Sequence, residues 1–103
     1  MNPHSLTIEL ANRVMGWRIA PGRFIKPGRS WTPMSRFKPL TRIDDAFLLL
    51  ERAGAQYRLT EQGKGTFTAE VQVGVGKGQA SGHAKARVIT IALARALGIE
   101  ARK

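Results

Sequence analysis

Two hydrophobic periods meet in the last third of the chain, and any fold it adopts has to satisfy both. From Thr66 to Val75 the apolar residues Phe67, Ala69, Val71, Val73 and Val75 take every second position, with Thr68, Glu70 and Gln72 among those between them. That is the period of a strand with one buried and one wet face. From Ser81 the spacing becomes helical. Val88, Ile89, Ala92, Leu93, Ala96 and Leu97 gather on one side, His83, Arg87 and Thr90 fall opposite, and Gly98 supplies a stop.

The join between these elements, GKGQASGHAKAR over residues 76 to 87, reads as a glycine-rich loop leading into a helix start. Free amides and the dipole at a helix start favour an anion, and Lys77, His83, Lys85 and Arg87 would add to that attraction. The same glycines also fit a plain turn in which they only supply positive φ angles.

Upstream, Asn2-Pro3 marks a helix start, and Leu6, Leu10 and Val14 share one side of a helix expected from Pro3 to Met15, closed by Gly16. A second helix is expected from Arg42 to Ala53, with Ile43, Ala46, Phe47 and Leu50 on its apolar side, Gly54 at its end, and Thr41 and Asp44 at capping-box spacing. Asp44 and Asp45 suit the first turn of that helix better than a metal site. Tyr57 and Leu59 alternate with polar residues as a short strand, and Glu61–Gly65 turns it into the longer one.

Between the first two helices, residues 17 to 40 hold four of the five prolines and no acid. Neither period persists there, so the stretch reads as a long irregular loop with one short extended piece near Arg23–Lys26. Its cations Arg18, Arg23, Lys26, Arg29, Arg36 and Lys38 alternate with Trp17, Phe24, Trp31 and Phe37. Guanidinium for phosphate and an aromatic face for a base is the pairing of single-stranded nucleic-acid sites. Trp17 and Phe37 each abut a helix and are expected to form a satellite core, which leaves Trp31, with Arg29, as the candidate exposed contact.

The chain is therefore expected to be one α+β domain over residues 1–103, in the order α-loop-α-β-β-α, with a small antiparallel sheet packed against helices. A hairpin alone is marginal, and a third strand drawn from the long loop would help it.

A net charge of +10, from 17 Lys and Arg against 7 Asp and Glu, favours contact with polyanions such as nucleic acid, and equally fits a merely solvated surface. With no cysteine, thiolate and disulfide chemistry are excluded. No apolar run approaches the roughly 18 residues of a membrane span, and MNPHSLTIEL has no secretory pattern, so a cytoplasmic protein is expected. His4 and His83 have no carboxylate nearby in sequence, and neither a nucleophile elbow nor a phosphate-loop pattern occurs. Nothing argues for an enzyme, and no cofactor or metal is expected.

Three motifs together, Val14-Met15-Gly16-Trp17, the helix Ile43 through Arg52 and the closing helix Ala84 through Leu97, resemble the small proteins of the phage ABA sandwich family. The resemblance spans nearly the whole chain and departs from the family in the basic loop and the large positive charge. It implies a layered α/β fold and a phage or prophage origin, and no biochemical activity. The expected partner, read from the charge and the basic residues, is nucleic acid, with a host or phage protein as the alternative. A narrower resemblance links the closing strand, loop and helix to double-stranded RNA-binding domains. There Lys77, His83 and Lys85 would be phosphate contacts, although Gly82-His83 stands where that family has adjacent lysines and the upstream three-strand spacing is not apparent.

Overall fold

The computed structural model describes residues 2–28 and 30–99. In chain order it contains α1 (Pro3–Arg13), β1 (Arg18–Ala20), β2 (Arg23–Ile25), β3 (Trp31–Pro33), a 3-10 turn at Met34–Arg36, α2 (Ile43–Arg52), β4 (Gln56–Glu61), β5 (Phe67–Val73), β6 (Gly76–Gly82) and α3 (Lys85–Ala96). The strands form two antiparallel sheets, ordered β1-β2-β3 and β4-β5-β6. The class is α+β, as expected. The element order departs from the expectation in two places, and at both a strand is hidden by glycine or proline.

The first departure is the long loop, which is a sheet. Pro21-Gly22 makes a two-residue turn between Ala20 and Arg23, which are paired across it, and β3 returns along β2 with Ile25 opposite Trp31. The Lys26 amide donates to the Ser30 carbonyl at 2.8 Å and the Met34 amide to the Gly22 carbonyl at 3.1 Å, closing the β2–β3 pair at its two ends. Three-residue strands carry little periodic signal, and the repeated Pro-Gly turns were the cue to them.

The second departure is the glycine-rich join. Residues 76 to 82 are not a loop; they are the third strand of the second sheet, paired with β5 from Val73↔Gly76 to Phe67↔Gly82. Gly74 and Val75 form the tight turn, with Gly74 at φ 59° and the Val75 side chain fully exposed. The strand therefore ends at Val73, and the helix begins at Lys85 instead of near Ser81. The glycines are there for closeness of approach. A Cβ on Gly76 would run into the Ala96 carbonyl, and one on Gly78 into the Ala92 carbonyl and the Ala96 amide. α3 thus lies directly on the β6 backbone, which no larger residue would permit.

That contact makes α3 the centre of the molecule. Ala86 and all residues from Val88 to Ala94 are buried, including Thr90, which was expected on a polar side. Its hydroxyl donates to the Pro39 carbonyl at 2.8 Å, so the polar atom is satisfied inside the core. α3 packs on β5 and β6 along one side and on α2 along another. Leu6, Leu10 and Ala11 of α1 and Ala46, Leu49 and Leu50 of α2 join it in one continuous core.

The helix ends explain themselves locally. Asn2 caps α1 through its side-chain oxygen, which accepts from the Ser5 amide at 2.7 Å. The capping box expected for α2 does not form. The cap position is Arg42, the Thr41 hydroxyl turns back to the Lys38 carbonyl, and Asp45 accepts from the Lys38 amide at 2.9 Å. The carboxylate that ties down this helix start is thus one residue later than the spacing rule placed it. The chain leaves α1, α2 and α3 near Gly16, Gly54 and Gly98, all at positive φ as expected.

Candidate nucleic-acid interface

The first sheet has a buried face and an outward face. Phe24 on β2 is fully buried and meets Trp17 at 5.6 Å and Phe37 at 5.9 Å between ring centroids, while Trp17 and Phe37 lie 5.0 Å apart at a steep angle. This three-ring cluster is the satellite core expected of Trp17 and Phe37, with Phe24 at its centre. It anchors a segment that has few other apolar residues.

Alternation along these strands turns their neighbours the other way. Arg18, Ile25 and Trp31 stand in one cross-strand row, and Ala20, Arg23 and Pro33 in the next, on the same face. Trp31 is 56% exposed, and the Arg23 guanidinium carbon sits 5.3 Å from its ring centroid. Neither Arg18 nor Arg23 forms an ion pair among the described residues. The result is a planar ring, one side held by a cation, on an ordered strand with a second arginine in the row beside it. Lys26 flanks the sheet, its ammonium 5.2 Å from the Trp17 ring. The cation on Trp31 is Arg23, eight residues away in sequence; Arg29, its expected companion, lies outside the described residues. Pairing of β2 with β3 brings Arg23 there, which proximity in sequence does not indicate.

The C-terminal candidates divide into two groups. His83 and Ala84 are the whole connection between β6 and α3, and Lys85 and Arg87 open the helix. No side chain caps α3. Arg87 lines a cavity of 280 Å³ with Gly82, His83, Ala84 and Val88, and the Lys85 ammonium lies 4.9 Å from the Phe67 ring centroid. Lys77 is not with them. It sits at the other end of β6, roughly 16 Å from Gly82 at the rise of a strand. There it faces the polar outer side of the second sheet, in a row with Gln72 and Gln56, while Glu70 and Arg58 occupy the neighbouring row. The amides offered by a glycine-rich loop are in fact strand amides, engaged at every second position with β5. A single anion cradle built from Lys77, His83, Lys85 and Arg87 does not exist in this fold.

Among the described residues no group of three or more His, Asp or Glu is placed to hold a metal ion, and no helix is long and apolar enough to cross a membrane.

No family model matches the chain, and no curated protein matches it in sequence. Among solved structures the chain is similar to a phage protein from Bacillus cereus, with a TM-score of 0.79 and 19% identity, covering 99% of this chain and 93% of that one. At that identity the likeness is one of fold.

Proposed function

We propose that this chain is a non-enzymatic protein of phage or prophage type, of the ABA sandwich kind, that binds nucleic acid through the outward face of its first sheet. The phage reading rests on the shared fold with the Bacillus cereus phage protein over nearly the full length of both chains, together with the motif resemblance. The binding reading rests on one observation above others, the exposed Trp31 ring with Arg23 stacked on it and Arg18 alongside. A base can stack on the open side of such a ring while guanidinium groups take phosphates, and the net charge of +10 draws a polyanion toward any part of the surface. His83, Lys85 and Arg87 at the start of α3 form a smaller second patch suited to a phosphate contact, where the half-buried Phe67 ring under Lys85 is less open than Trp31.

A protein-interaction role is the second reading, favoured by Ile19 of β1, 43% exposed and on the face of the sheet opposite Trp31. A mobility-shift series with single-stranded DNA, single-stranded RNA and both duplexes, each over a range of salt, separates the two. Nucleic-acid binding predicts a preference for single strands, steep weakening with salt, a loss of roughly 1–3 kcal/mol on Trp31→Ala and a smaller loss with a shallower salt slope on Arg23→Ala. Absence of binding at low salt overturns it in favour of the interaction role. Unchanged affinity in Trp31→Ala with loss in Lys85→Ala or Arg87→Ala moves the site to the start of α3.

A further inference from the structure

The two edges of the second sheet are treated differently. At the β6 edge the Arg95 guanidinium donates to the outward carbonyl of Gln79 at 2.6 Å, and α3 lies against the strand. At the β4 edge none of these devices is present. β4 has no proline and no lysine, pairs in unbroken register with β5 from Gln56↔Gln72 to Glu61↔Phe67, and among the described residues no side chain hydrogen-bonds to its backbone between Tyr57 and Glu61. Such an edge is a template for another strand.

Its hydrogen-bonding phase is readable. The Gln62 amide donates to the Thr66 carbonyl at 2.8 Å, so the bonded pairs to β5 fall on even-numbered residues. Tyr57, Leu59 and Glu61 therefore turn their amides and carbonyls outward. The side chains of these three share the side of the sheet that α2 flanks, where Tyr57 is 51% exposed and stacks at 5.8 Å on Phe47, with Ile43 on the same helix 39% exposed.

We infer that β4 pairs antiparallel with β4 of a second copy of this chain, with Leu59 on the two-fold axis, making a continuous six-stranded sheet. An axis perpendicular to the sheet keeps each residue on its own face, so odd positions can pair only with odd ones. Three such registers are open near the middle of the strand. One opposes Arg58 to Arg58 and is disfavoured by charge. Another opposes Glu61 to Leu59 and reaches beyond the strand for its remaining partners. Centring on Leu59 opposes Tyr57 to Glu61, Leu59 to Leu59 and Arg58 to Thr60. It uses every outward group of β4, keeps Arg58 beside its own Glu70, and brings the Tyr57–Phe47 patches of both copies to the seam. The inference is independent of the nucleic-acid reading, since it concerns a different sheet.

Sedimentation equilibrium of the full chain on serial dilution tests it, using wild type, Leu59→Lys, Leu59→Glu and an equimolar mixture of the two variants. The expected result is twice the mass of one chain for wild type, a single-chain mass for each variant, and recovery of the double mass in the mixture, where Lys faces Glu across the axis. A single-chain mass for wild type at every concentration overturns the inference. So do variants that stay dimeric, or a mixture that stays monomeric. Amide hydrogen exchange on wild type covers the case in which a variant fails to fold. Protection of the Leu59 and Glu61 amides that rises with concentration supports the pairing, and fast exchange at both, with Thr60 protected, overturns it.

Discussion

The Thr90 hydroxyl, buried in the middle of α3, donates to the carbonyl of Pro39 at 2.8 Å across 51 residues of sequence. It is a fully enclosed hydrogen bond, and it ties the end of the basic segment to the central helix just before α2 begins. The segment carrying Trp31 is thus held at both ends, by Pro39 on α3 and by the Trp17 amide on the Ala11 carbonyl of α1 at 3.1 Å.

Thr90→Val keeps the volume and leaves the Pro39 carbonyl without a partner inside the core. We expect a loss of about 1–3 kcal/mol in urea or thermal unfolding, with native far-ultraviolet dichroism before the transition. A loss below the range of exposed-site substitutions would mean that water reaches this carbonyl.

Gly78→Ala places a methyl group against the backbone of α3 at Ala92 and Ala96, where no side chain can swing away. The helix must move off the sheet, and the expected cost is upwards of about 3 kcal/mol, which would unfold much of the population of a domain this small. Gly74→Asn is the control. Its turn position has positive φ and open space around it, and asparagine tolerates that geometry, so the cost should stay within about 1 kcal/mol.

Phe24→Ala removes the middle ring of the three-ring cluster. Its expected cost is about 3–5 kcal/mol if the first sheet unfolds together with the rest. Should that sheet open on its own, hydrogen exchange would instead show protection lost at residues 18 to 33 and kept in α3.

The two tryptophans give separate optical reports. Trp17 is 7% exposed and Trp31 is 56% exposed. Trp31→Phe should leave a blue-shifted emission that acrylamide quenches poorly, and Trp17→Phe a red-shifted emission that it quenches readily. A ligand that stacks on the first sheet should shift only the emission of the second variant.

The helices and the long strand were legible because each carries enough residues for its period to show. Asn2 and the helix-ending glycines placed the boundaries of α1 to within two residues. The missed strands share one cause. In β6 the side chains that would reveal alternation are absent, since Gly76, Gly78 and Gly82 face α3 and Ala80 alone of that set has a side chain. In β1 to β3 Phe24 alone is buried, so no alternation of buried and exposed residues shows. The candidate site followed suit. Trp31 was legible from its polar flanks, and its cation was not, because the partner is chosen by strand pairing. A loop would bring Lys77 beside Lys85, and the extended strand β6 separates them.

The all-round burial of α3 also sets the order in which the molecule can be completed. In synthesis, every surface that this helix covers is made before the helix itself. Until residues 85 to 97 leave the ribosome, the inner side of the second sheet and the apolar sides of α1 and α2 have no shared filling, and the nascent chain presents a slot in place of an interior. Capture of α3 is then the step that fills this core. An early stop codon before Val88 would leave a product fit for degradation rather than a shortened functional form.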